Sequence, residues 1–292
     1  MNKLQKTLLL GAMLGTASAS AFAQQSPDLL PAFSSWNLSG QNSSNPVVYT
    51  TISSAGVGFQ SACSSATPAS CTNNAPFTVT VAGRYHVSID AEWTTQDGAK
   101  GLWSASIAGY PSGQALGSWT QSSHGGASQR DMAQWVAELQ PGSYFLYLNA
   151  TVSGCDDVGV IRSASIRRVE GPVLLPNSSY AGVGDVPGYA DFVIDSGQTL
   201  QSPLYLLFSS PAYLPGPVSL PFGSVWLAAP TQLAQLTTPG YSPLQGSRVG
   251  AALYGLLAPA TGATTWWQVL EFDLLDPLNT LRLGSLTATR RP

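Results

Sequence analysis

The chain has 292 residues, a formal net charge of −3 and only 9% charged side chains, against roughly 25% in average proteins. After Lys6 the only lysine is Lys100, and nucleic acid or anionic lipid would demand clustered Lys and Arg, so neither is an expected partner. The low charge does not signal disorder, because aromatic residues make up 10% of the chain and apolar groups are spread along it.

Residues 1–23 read as a secretory signal peptide. Lys3 and Lys6 precede the apolar Leu8–Leu14, and Ala21-Phe22-Ala23 is a small-x-small cleavage site. The expectation is an exported bacterial protein of the periplasm, cell surface or medium, with no membrane insertion. A polar leader follows over 24–45, with Phe33 and Trp36 as possible anchors. Val47–Ile52 is a strand. Cys63 and Cys71 flank a short polar loop, and in an oxidising compartment a disulfide between them is the first expectation. Cys155 pairing with either one is the alternative, and spacing does not choose among the three pairings.

Phe77–Trp93 carries the cleanest pattern. Phe77, Val79 and Val81 alternate with threonines; after Gly83, the residues Tyr85, Val87, Ile89, Ala91 and Trp93 alternate with Arg84, His86, Ser88, Asp90 and Glu92. Period-two alternation predicts a core strand with one buried and one wet face. Further strands follow at Leu102–Ile107, Leu116–Thr120, Asp131–Leu139, Tyr144–Val152 and Val158–Arg168, separated by Gly/Pro/Asp turns. The fold class expected is all-β: a jelly-roll-like β-sandwich over 46–170, then a second, smaller β-sandwich over 171–292, with the break at Glu170-Gly171-Pro172. In the second part, Thr264–Leu274 is apolar on both faces at one end, which suits a central strand or a binding strand.

Two phrases carry a resemblance. The aromatic–strand–Gly-x-Tyr pattern of Phe77–Tyr85 and the Leu-x-Pro-Gly-x-Tyr of Leu139–Tyr144 resemble jelly-roll domains of the complement and tumour-necrosis-factor type. They also resemble small sandwich modules appended to secreted bacterial hydrolases. The resemblance implies a two-sheet roll and carries no functional residue across. Gly255–Leu257 and Thr264–Gln268 resemble C-terminal sandwich regions of secreted bacterial proteins, which implies no function.

No HExxH, CxxC, G-x-S-x-G or P-loop pattern is present. A catalytic triad would have to use His86 or His124. Asp90 and Glu92 share a strand face about 6.5–7 Å apart, which overlaps glycosidase carboxyl spacings. Their ordinary reading, with Arg84 and His86 nearby, is a solvated or domain-facing sheet face, and Glu271 with Asp273 has the same alternative. Asp156 and Asp157 beside Gly154 are the weak calcium candidates, although turn-forming Asp explains them equally. No other cofactor is expected. Among the tryptophans, Trp119 and one of Trp266 and Trp267 are the candidates for exposure. An exposed indole beside polar side chains offers sugar rings a flat apolar face and fixed hydrogen-bonding groups; the ordinary reading is packing at the edge of a core. The function expected is non-catalytic recognition of carbohydrate or a cell-surface protein through Trp119, Trp266, Trp267 and the polar His86, Asp90 and Glu92. A structural subunit of a surface layer, matrix or appendage, assembling as an oligomer, is the alternative, and a secreted hydrolase the second.

Overall fold

The computed structural model describes residues 27–41, 48–53, 56–61, 69–94, 101–109, 115–122, 128–152, 158–176, 189–196, 198, 200–236, 249–257 and 264–290. The expected signal peptide, Cys63, His124, Cys155, Asp156 and Asp157 lie outside them. Apart from a 3-10 turn at Phe33–Ser35 and the one-turn helix α1 (Pro277–Thr280), the regular elements among the described residues are strands, and the protein is all-β.

Ten strands build the first unit: β1 (Asn37–Gln41), β2 (Val48–Ser53), β3 (Gly56–Ser61), β4 (Ala69–Val79), β5 (Gly83–Thr94), β6 (Gly101–Gly109), β7 (Ala115–Ser122), β8 (Ser128–Leu139), β9 (Gly142–Val152) and β10 (Val158–Val169). They form two five-stranded sheets, in the orders β1-β4-β9-β6-β7 and β2-β3-β10-β5-β8. The pairs β3/β10, β4/β9, β5/β8 and β6/β7 are nested inside one another, as in a long hairpin rolled up on itself. That wrapping is the jelly roll. Alternation supplies its core: Tyr85, Val87, Ile89 and Ala91 of β5 meet Phe77, Ile107, Leu139, Leu146 and Leu148 between the sheets.

The two tyrosines of the resembling phrases have one physical role. Tyr85 Oη donates to the Val81 carbonyl (2.6 Å) and Tyr144 Oη to the Gln140 carbonyl (2.7 Å), each four residues upstream. Each hydroxyl thereby satisfies a turn carbonyl while its ring stays in the core, and Tyr144 stacks on Phe77 at 5.6 Å. Part of the segment expected as a leader belongs to the sandwich. β1 pairs with β4, Trp36 is buried, and Leu29 N–H donates to the Ile166 carbonyl (2.9 Å) on an edge of β10 that β3 does not reach.

The second unit contains β11 (Val173–Pro176), β12 (Tyr189–Asp195), β13 (Pro203–Ser210), β14 (Tyr213–Leu220), β15 (Gly223–Leu227), β16 (Thr231–Leu236), β17 (Val249–Leu257), β18 (Thr264–Asp273), β19 (Arg282–Leu283) and β20 (Thr287–Arg290). It has three layers rather than two. The central sheet runs β16-β13-β18-β19, with β20 also on β18; β11-β12-β17 forms a second sheet and β14-β15 a separate hairpin. One face of the central sheet packs Tyr205, Leu207, Trp267 and Val269 against Leu174 and Ile194. The other packs Leu204, Leu206, Leu270 and Phe272 with Phe222 and Leu283. β18 is apolar on both faces because it lies between layers.

Arg84 staples the units together. Its guanidinium donates to the Gly171 carbonyl (3.0 Å) at the link and pairs with the Asp195 carboxylate at the end of β12; the carboxylate is buried and the arginine largely covered. β11 and β20 pack against β8, and Thr287 Oγ1 donates to the Leu174 carbonyl (3.1 Å). At the link, Gly171 leaves no room for a side chain, since a Cβ there would overlap the Leu283 carbonyl oxygen.

Candidate functional site

On the face of β5 expected to be solvated or domain-facing, His86 and Asp90 are closed off from water. His86 is 8% exposed and Asp90 9%. His86 Nε2 lies 3.0 Å from Gln134 Oε1 on β8 and donates to it as the neutral ring. Burial pushes the imidazole down to about 4 against the opposing effect of that bond, with Arg167 and Arg84 adding to the fall. His86 is therefore uncharged at neutral pH and its ring is closed off from ligand. Alternation separates the two faces of a strand correctly but does not show what lies over either one. Glu92 occupies β5 opposite Arg130 and Val160 in the backbone register; its side chain is outside the described residues.

The other carboxylate pair serves the framework. Glu271 is fully buried and accepts from Ser196 Oγ at 2.8 Å. Asp273 accepts the N–H groups of Leu275 (2.9 Å), Gln201 (2.6 Å) and Ser202 (3.2 Å). The Leu275 amide contributes most to holding its carboxyl below the usual range, with Gln201 and Ser202 adding to it against the desolvation. Among the described residues no three His, Cys, Asp or Glu side chains gather as a metal site, and Asp195 is committed to Arg84. No helix among them is long and apolar enough to cross a membrane.

A cleft of about 380 Å³ opens near the seam, lined by Arg84, Glu138, Gln140, Arg168 and Glu170 among others. Arg168 and Glu170 sit 3.4 Å apart, both well exposed. No aromatic ring lines this cleft, so it offers charge but no stacking surface.

The tryptophan candidates separate clearly. Trp267 is 1% exposed and belongs to the core between the central sheet and β11-β12-β17, which corrects the expectation that it forms a binding platform. Trp119 stands on β7, an edge strand of the first roll, opposite Ala105; its side chain is outside the described residues. Trp266, one residue earlier on β18, points to the opposite layer and is partly exposed. Its ring centroid is 4.6 Å from that of Tyr213, with the planes at 59°. Tyr213 is 51% exposed and Val218, on the same hairpin, 54%. Tyr213 is the residue that sequence reasoning missed.

Gln268 holds this hairpin in place. Its Oε1 accepts from Trp226 N–H (2.8 Å) and Leu227 N–H (3.3 Å). Its Nε2 donates to the carbonyls of Ser224 (2.9 Å) and Gly284 (3.0 Å). Every hydrogen-bonding position of the amide is used inside the protein. At the start of the hairpin, Ser210 Oγ donates to the Ala228 carbonyl and accepts from Ala212 N–H. The Tyr213–Trp266 pair is thus carried on a braced surface rather than a loose loop.

No protein-family model matches the chain, and no curated protein matches it. Solved structures similar to it include three with binding or adhesion in their descriptions. TmCBM61 in complex with β-1,4-galactotriose is 14% identical, with a TM-score of 0.31, over 47% of this chain and 90% of that one. The adhesin domain of Epf from Streptococcus pyogenes is 10% identical, with a TM-score of 0.34, over 94% and 89%. The tandem CBM22-1–CBM22-2 domain of Xyn10C from Paenibacillus barcinonensis is 13% identical, with a TM-score of 0.27, over 93% and 100%. At such TM-scores these likenesses carry no argument about a site or a ligand.

Proposed function

We propose that the protein is an exported, non-catalytic binding module that takes carbohydrate on the Tyr213–Trp266 face. The observation that carries this reading is the aromatic pair itself, in contact, partly open to solvent and fixed by Gln268. Sugar rings present axial C–H groups that stack on aromatic faces, and a ring held in place loses little entropy on binding. His86, Glu271 and Asp273 give a hydrolase no support, because each is buried in framework bonds. Glycan-array screening followed by titration tests the reading. Tyr213→Ala and Trp266→Ala should each weaken binding about tenfold or more, with the circular dichroism spectrum unchanged. Absence of binding to any glycan on the array refutes it.

Assembly with further copies is the second reading. Leu275 and Leu278, after β18, are 72% and 81% exposed, and Asp273 and Thr280 brace the loop that presents them. Light scattering on the full chain tests this: a strict monomer at high concentration removes it.

A further inference from the structure

We infer that the Tyr213–Trp266 face takes a soluble, uncharged glycan chain and rejects carboxylated or sulfated ones, an inference that rests on the carbohydrate reading above. From Ser196 to Ser247 the chain contains no Asp, Glu, Lys, Arg or His, and from Val249 to Leu270 it again contains none. The first stretch supplies the whole β14-β15 hairpin, and the second supplies Trp266. The neighbours of Trp266 across the central sheet are Ser210 on β13 and Ala288 on β20, both uncharged. An acidic glycan leaving water for the hairpin would meet no cation on β14 or β15, and an unpaired buried charge is strongly unfavourable. A neutral glycan carries no such penalty and gains the stacking. The basic residue that the strand register brings nearest is Arg290, opposite Thr264 on β20, two positions along β18 from Trp266.

The angle between the rings adds a second restriction. Planes 59° apart cannot both lie flat on one surface. The face of a crystalline polysaccharide is flat, whereas a free chain turns at each glycosidic bond and can offer successive rings at different angles. The geometry therefore selects single chains in solution.

Titration of the full chain against three groups of probes tests this: soluble galactan, arabinoxylan and mixed-linkage glucan; polygalacturonate and heparin; and microcrystalline cellulose. Binding should be confined to the first group. Its affinity should change by less than about twofold between roughly 0.05 and 0.5 M NaCl, because screening acts only on charge. Tyr213→Phe should retain most of the affinity and Tyr213→Ala lose it, which separates loss of the ring from loss of the fold. Binding to the acidic polymers that weakens with salt and disappears in Arg290→Gln overturns the inference and leaves the carbohydrate reading standing. Binding to the crystalline polymer alone also overturns it. Binding to none of the probes or to any wider glycan set, or binding that Tyr213→Ala does not change, overturns both.

Discussion

Replacing Gln268 by leucine removes four hydrogen bonds at nearly constant volume. The backbone N–H groups of Trp226 and Leu227 and the carbonyls of Ser224 and Gly284 lose their side-chain partner together. A buried polar group stranded in this way costs about 1–3 kcal/mol. Even with relaxation taking the low end for each, the loss is about 4 kcal/mol, a large part of the 5–15 kcal/mol that typically stabilises a domain. It falls first on β14-β15, because three of the four groups belong to that hairpin. Hydrogen exchange read by mass spectrometry over 213–227 should show the hairpin opening before the first roll, and the melting temperature should fall. Glycan binding should weaken as Tyr213 is released from Trp266. Gln268→Glu should not rescue, since a carboxylate keeps the acceptor role but turns an oxygen toward two carbonyls. Wild-type exchange across 213–227, with a melting shift below about 2 °C, would show that Gln268 does not hold the hairpin.

Three further outcomes follow from the framework. Arg84→Ala leaves the buried Asp195 carboxylate without its partner and should cost about 3–5 kcal/mol in urea unfolding, with new proteolytic cleavage near Gly171; Arg84→Lys should recover little, because an ammonium cannot span the Gly171 carbonyl and the carboxylate as the guanidinium fork does. Equal stability of Arg84→Ala and wild type would refute the staple. Gly284→Ala drives a Cβ into the Pro172 carbonyl oxygen, so this variant should melt lower than Gly216→Ala, where nothing stands within 4 Å. His86 has a folded-state pKa of about 4, below its ordinary 6.5. Above pH 6.5 its contribution is complete; as pH falls toward 4 the unfolded chain takes up a proton that the folded chain refuses. Stability should therefore drop by about 3 kcal/mol across that window and level off below it. His86→Gln should flatten this part of the stability–pH curve, and an unchanged slope would exclude His86 as its source.

Much of the first roll was legible because alternation and turn chemistry agree there. Tyr85, Val87 and Ile89 announced the buried face of β5, and the tyrosines closing the turns at Val81 and Gln140 mark two of its corners. The opposite face stayed open between solvated and domain-facing, because a polar face reads the same whether water or another layer covers it. The second unit was harder. β14 was not among the expected strands; it accommodates Pro215, Gly216 and Pro217 because its pairing with β15 skips from Tyr213 to Val218, so the prolines owe no bond to that ladder. Trp266 and Trp267 could not be told apart either. Both faces of β18 are apolar, and only the third layer decides which indole is enclosed. Tyr213 carried no signal of its own until the hairpin brought it to Trp266.

The nested pairing also sets an order in time. The β6/β7 pair closes over a few residues, with Ala108 opposite Ala115, whereas β3 meets β10 only when Val57 finds Ile161. The outermost pairing needs the largest loop closed and gains contacts only afterwards, so a chain of this topology folds on the slow, millisecond-to-second scale of non-local β proteins. Until that last pairing forms, β10 has unmatched backbone on one edge over Val158–Ile161. The final moments of closure are when this protein is most open to pairing with the wrong chain.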